Sequence, residues 1–230
     1  GLAEQVEGWL SQVRARSRFG VLCPTQQGDA CALLDEMRLV KDTHEQDIMR
    51  RAAQISAQAH VRAMQRSARM IRNGEDVREY HLDAELLHEF RQHGSQYVAY
   101  GSIVAAGANA CVLHYQADKA PVRAGELVLI DAGCELDGYA SDITRTFPAD
   151  GKFSGAQRAL YDLVLASQEA AIAVTRAGKR FNDPHDATVA VLAQGMLDLG
   201  LLDRTKYGTA EDVIESRAYF QFYMHRTGHW

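Results

Sequence analysis

Apolar residues recur at helical spacing early in the chain. After Thr43-His44-Glu45-Gln46, which fits a capping box, Ile48, Ala52, Ile55 and Ala59 step by three and four. That spacing is one buried helix face, and Gly74 marks its stop. Asp76 with Glu79 makes a related cap, and Val77, Tyr80, Ala84 and Leu87 predict the inward face of a second helix. Ser154 with Gln157 opens a third helix running to about Gly178. Asp183-Pro184, a cap followed by proline at the first helical position, opens a fourth that stops near Gly200. Between the second and third helices the period falls to two. Tyr97–Ala106, Cys111–His114, Leu127–Asp131 and Tyr139–Phe147 predict strands. Two helices, a run of strands and two more helices make an α+β pattern rather than strict alternation.

Residues 1–35 differ from the rest. They hold a short helical pattern (Val6, Trp9, Leu10, Val13) and a polar stretch from Thr25 to Asp29. They read as the tail of a preceding element and a linker, followed by a second region over 36–230.

Composition narrows the function classes. The chain has 230 residues, 47% hydrophobic and 24% charged, which excludes intrinsic disorder. Lys and Arg number 25 against 30 Asp and Glu, a net charge of −5, so no basic surface drives nucleic-acid binding. The longest aliphatic run, Leu127 to Ile130, falls far short of the ~20 apolar residues of a membrane helix, so no membrane partner is expected. Cys23, Cys31, Cys111 and Cys134 form no C-x-x-C motif, and no signal-peptide pattern is visible at the start. Free thiols in a reducing, cytoplasmic compartment are expected.

The candidate chemistry lies in the strand region. Asp137-Gly138 is a two-residue hairpin signal, because a type I′ turn needs φ > 0 at both positions. With that turn, Leu136 pairs with Tyr139, Asp131 lies opposite Thr144, and Asp142 lies opposite Gly133, which leaves room beside it. Side chains alternate, so both aspartates face the same side as diagonal neighbours about 7–8 Å apart. Asp131 alone, at a strand end, could equally be a helix cap or a turn former. Asp142 fits that role badly, since Asp is depleted inside strands. Two like charges on one sheet face call for a cation between them, and in this register Arg145 points to the other face. A basic partner, or a metal pair of the two-metal hydrolase kind, would satisfy both carboxylates.

Nine histidines complete the inventory. His44, His60, His81 and His185 read as solvated positions on helices. His88 and His93 superficially resemble H-E-x-x-H, but one extra residue turns them about 140° apart on a helix. His114 is placed at a strand end of the same sheet, and His225 and His229 flank Arg226-Thr227-Gly228.

Together these segments resemble the M24 metallopeptidases of the pita-bread fold, in particular their Xaa-Pro aminopeptidase and prolidase group. The resemblance is carried by Asp35-Glu-Met-Arg-Leu-Val-Lys41, Leu113-His-Tyr115, Leu127-Val-Leu-Ile-Asp-Ala-Gly-Cys134, Gly138-Tyr-Ala-Ser-Asp-Ile-Thr-Arg-Thr-Phe-Pro148, Gly151-Lys-Phe153 and Met224-His-Arg-Thr-Gly-His-Trp230. It implies an α+β pita-bread catalytic domain, of which residues 36–230 are the N-terminal portion: an antiparallel sheet covered by helices. It implies that Asp131 ligates one metal ion, Asp142 bridges two and His229 binds the other, while His114 and His225 contact substrate and stabilise charge. Hard oxygen donors with one imidazole suit two Mn²⁺ ions, with Co²⁺ or Zn²⁺ as alternatives. The implied substrate is a peptide with proline in second position, from which the N-terminal residue is released, and the full-length form is expected to be a homo-oligomer. The family completes its site with two glutamates beyond the His-x-x-x-His segment, so the chain reads as truncated and is expected to be inactive alone. A prolidase, a metal-free creatinase-like hydrolase and a non-catalytic pita-bread binding module are the competing readings.

Overall fold

The structure, a computed structural model, describes residues 1–229. The chain divides into two compact units, Gly1–Arg51 and the remainder from Ala52. The dividing point falls inside a helix. The first unit carries α1 (Leu2–Ala15) and α2 (Ala30–Leu39), neither of which buries a residue, and the start of α3 (Thr43–Arg72).

The cap of α3 sits one residue earlier than the sequence pattern suggests. Asp42 Oδ1 accepts from the Glu45 N–H at 2.8 Å and Glu45 Oε2 accepts from the Asp42 N–H at 2.6 Å, the reciprocal pair of a capping box. Thr43 and Gln46 are not that pair. Ile48, Ala52, Ile55 and Ala59 form the buried face as the spacing predicts, extended by Ala63 and Met70. His60 shares that face and is buried, not solvated, with Nδ1 2.8 Å from the Ser56 carbonyl.

Helix α4 (Glu79–Gln92) begins later than expected and faces differently. Asp76 pairs with Arg78 instead of capping the helix. Leu82, Leu86 and Phe90 are buried, whereas Tyr80 and Leu87 are exposed. The register is turned by Glu79, a fully buried carboxylate on the inward face.

Six short antiparallel strands follow: β1 (Tyr97–Val98), β2 (Ile103–Ala106), β3 (Leu127–Ala132), β4 (Cys134–Leu136), β5 (Tyr139–Ala140) and β6 (Ile143–Pro148). They form two three-stranded sheets, ordered β1-β4-β5 and β2-β3-β6. The hairpin register is as predicted: Leu136 pairs with Tyr139 and Asp131 with Thr144. Asp137 and Gly138 have φ of 50° and 85°, the positive values a type I′ turn requires. Val128, Ile130 and Ala132 are buried, which leaves Asp131 on the half-buried opposite face.

Two expected strands are corrected. Tyr97–Ala106 is interrupted: Val98 pairs with Cys134, but Ile103 pairs with Asp131, so residues 99–102 oppose only Ala132 and Gly133. This two-residue excess is a bulge, which bends a strand and re-aims its side chains. Cys111–His114 is not a strand. Gly107–Cys111 is a 3₁₀ turn and His114 sits in the following loop with φ 53°.

The remaining helices are α5 (Gly155–Val174), α6 (Asp183–Asp198), α7 (Arg204–Tyr207) and α8 (Ala210–Glu215). The Ser154–Gln157 capping box is formed, and α5 ends at Val174, short of Gly178. Val189, Leu192, Ala193, Met196 and Leu197 of α6 pack with Leu202, Val213, Ala218 and Tyr219 in one cluster. All four cysteines are free thiols. Among the described residues, no helix is long and apolar enough to cross a membrane.

Candidate metal centre

The paired aspartates are placed by the hairpin and braced from behind by α3. Ser56 Oγ lies 2.6 Å from Ser141 Oγ and accepts from the Cys134 N–H at 2.9 Å, fixing the chain on both sides of the Gly133–Asp142 level. Gly133 does not leave room beside Asp142, as the register alone suggests. A Cβ there would stand 1.3 Å from the Ser141 carbonyl oxygen, so the absent side chain admits that carbonyl.

Asp131 and Asp142 do face the same side. The Tyr100 hydroxyl lies 2.5 Å from Asp131 Oδ1 and 3.0 Å from Asp142 Oδ1, within reach of both carboxylates at once. Tyr100 is delivered by the 99–102 bulge and was not singled out in the sequence. The one available sign is Gly101, a glycine within a strand pattern, which marks a bulge.

His229 joins the group from far along the chain, with Nε2 3.1 Å from Asp142 Oδ2. Its segment is held by the start of α6. Thr227 Oγ1 lies 3.2 Å from His185 Nδ1 and 2.7 Å from the Tyr223 hydroxyl, and Arg226 donates to Asn182 Oδ1. His114 and His225 are exposed, and neither pairs with Asp131 or Asp142 among the described residues. The structure thus gathers Asp131, Asp142 and His229 and leaves those two imidazoles outside the hydrogen-bonded group.

The electrostatics favour a cation. No Lys or Arg forms an ion pair with Asp131 or Asp142 among the described residues, and the Arg145 guanidinium instead donates to the Thr144 carbonyl. Two carboxylates on one face repel without a positive partner. Burial, together with donation to Asp131 and the charges of both aspartates, pushes the Tyr100 phenol far above its ordinary range. Any stability tied to that shift is present below the ordinary phenol value of about 10 and is lost only at still higher pH. Beside the bare carboxylates Tyr100 is therefore a neutral donor.

No three His, Cys, Asp or Glu side chains among the described residues converge on a single point. They form a chain, Asp131, Asp142, His229, with the Tyr100 hydroxyl between the carboxylates. Hard oxygens with one imidazole still form a donor set that fits a divalent ion. Tyr100→Phe removes a donor shared by both carboxylates. It is expected to weaken metal affinity or activity by about 10–100-fold with the fold retained, read by metal titration. Unchanged affinity and activity would contradict this role.

Comparison with known proteins covers nearly the whole chain. Residues 47–230 match metallopeptidase family M24. The Xaa-Pro aminopeptidase of Haemophilus influenzae is 45% identical over 198 residues, 86% of this chain and 44% of the relative. That of Escherichia coli is 41% identical over 225 residues, 98% of this chain and 49% of the relative. Among solved structures, Pseudomonas aeruginosa aminopeptidase PepP superposes with a TM-score of 0.92 at 46% identity, covering 100% of this chain and 50% of that one. Zinc-substituted E. coli aminopeptidase P in complex with product gives 0.88 at 40% identity, covering 98% and 49%. The chain spans about half the length of the relatives and solved chains it matches.

Proposed function

Because the chain belongs to the M24 family of metallopeptidases, we propose that its protein is a metal-dependent aminopeptidase that releases the N-terminal residue from peptides with proline in second position. The reading draws its substrate from the name shared by the relatives, Xaa-Pro aminopeptidase. The observation that carries its chemistry is the Asp131–Tyr100–Asp142–His229 arrangement on one sheet face.

Asp131 would hold one divalent cation, Asp142 both, and His229 the second. Mn²⁺ is the ion that best suits this donor set, ahead of Co²⁺ and Zn²⁺. When bound, such ions would supply Lewis-acid chemistry, acidifying a water and polarising a scissile carbonyl. Tyr100 orients the pair through its one hydroxyl proton, which Asp131 Oδ1 and Asp142 Oδ1 share. His114 and His225 present exposed imidazoles. We assign them to contact with the peptide and to stabilising the charge that develops on the carbonyl oxygen.

The test is a peptidase assay of the full-length protein on Xaa-Pro-containing peptides, with products identified by mass spectrometry. Release of the first residue alone, abolished by a chelator and restored by Mn²⁺, is expected. Cleavage confined to Xaa-Pro dipeptides would favour a prolidase, and metal-independent or absent cleavage would overturn the proposal. Three protein ligands under-coordinate two cations, so the 230-residue chain by itself is proposed not to turn over such peptides. Proline-specific turnover by that chain with added Mn²⁺ at ordinary enzymatic rates would contradict this.

A further inference from the structure

The loop that carries His114 is fastened from one point. Glu79, at the start of α4, is fully buried and has no ion-pair partner among the described residues. Its carboxylate accepts four hydrogen bonds. Oε1 accepts from the Ala106 N–H and from Asn109 Nδ2, each at 2.9 Å. Oε2 accepts from the Tyr115 hydroxyl at 2.8 Å and from the Asp118 N–H at 3.2 Å. Asn109 Nδ2 also lies 2.9 Å from the Tyr115 hydroxyl, so the two flanks of the loop meet each other as well. The Glu79 N–H donates to the Ala120 carbonyl at 3.1 Å.

Two of these four donors precede His114 in sequence and two follow it, Tyr115 immediately. His114 itself has φ 53°, a backbone conformation that non-glycine residues adopt only when the surroundings enforce it. Burial and the bond to Glu79 push the Tyr115 phenol upward, so it remains a donor. A buried carboxylate with four donors is costly to assemble for packing alone, where an apolar side chain would serve.

We propose that Glu79 is the positioning residue for His114: it ties both flanks of the 106–118 loop together and thereby sets where the His114 imidazole stands. This rests on the reading of His114 as a substrate-contacting group. In Glu79→Gln an amide N–H₂ replaces one acceptor oxygen and confronts donors, so the loop loses part of its anchorage while the side-chain volume is kept.

The experiment compares Glu79→Gln, His114→Ala and the double variant in the full-length, metal-loaded protein. Hydrogen exchange is measured over residues 106–118, with kcat and KM on a proline-containing peptide. In Glu79→Gln, exchange in that segment should rise at least about tenfold, with the β3–β6 hairpin and the metal content unchanged. kcat/KM should fall about 10–100-fold, as expected for a group displaced by about 1 Å. The double variant should be no worse than His114→Ala alone, because Glu79 acts through His114. Multiplying losses, or unchanged exchange in the loop, would overturn the proposal. Unaltered kcat/KM in His114→Ala would overturn the reading of His114 and the inference with it. That outcome is recognisable because Glu79→Gln still loosens the loop. If Glu79→Gln does not fold, Tyr115→Phe removes one of the four donors and gives the same comparison.

Discussion

Asp142→Asn is expected to abolish two-metal binding and to lower kcat by about a thousandfold or more. Asp142 links His229 to the rest of the site, reaching Tyr100 through Oδ1 and His229 through Oδ2. Asparagine keeps the size but offers one oxygen, carries no charge and turns an N–H₂ toward one of those partners. Loss of the shared carboxylate removes several kcal/mol of charge stabilisation, and each ~1.4 kcal/mol is tenfold in rate. The fold should survive, because the Asp142 side chain is 49% exposed and surface substitutions away from special features change stability little. Elemental analysis should give at most one ion per chain, and unfolding should stay near that of the parent. Two ions per chain with kcat within a few-fold of the parent would contradict the role given to Asp142.

The largest effect on stability is expected at Gly133. A Cβ there would lie 1.3 Å from the Ser141 carbonyl oxygen and 2.5 Å from its carbon. Both are backbone atoms, and Ser141 is already held by its N–H on the Cys134 carbonyl and by its hydroxyl beside Ser56. Neither chain can yield without breaking the level that carries Asp142. Gly133→Ala should therefore cost upwards of about 4 kcal/mol, the exceptional class of single substitutions. Gly138→Ala provides the comparison. Gly138 has φ 85° in open space, so only backbone strain of about 1–2 kcal/mol applies. Denaturant unfolding of the two variants should separate them clearly, with Gly133→Ala yielding little or no folded protein. Equal losses would show that the close approach at Gly133 does not govern the fold.

The aspartate pair was legible because two local rules fix it. Asp137-Gly138 sets the turn, and alternation then carries Asp131 and Asp142 to one face without knowledge of the rest of the molecule. Other features depend on distant partners. Tyr97–Ala106 reads as one strand, and only its pairing with β3 and β4 reveals the two extra residues that deliver Tyr100. The apolar run Cys111–Leu113 suggests a strand, but the donors that Glu79 needs draw the chain into a turn and loop instead. Glu79 likewise misleads the helix pattern, since a charged residue on the inward face shifts the buried positions to Leu82, Leu86 and Phe90. His60 is buried because α3 is enclosed along the face it shares with Ala52 and Ala59. His114 and His225 are matched by the resemblance rather than by local pattern, and both stand exposed.

The central claim is that Asp131, Asp142 and His229 together hold divalent cations. Anomalous diffraction at the manganese edge, from crystals of the full-length protein grown with Mn²⁺, tests it most directly. Two anomalous peaks are predicted, with Asp142 in contact with both, Asp131 with one and His229 with the other. Manganese bound elsewhere, with the two carboxylates held only by the Tyr100 hydroxyl, would contradict it.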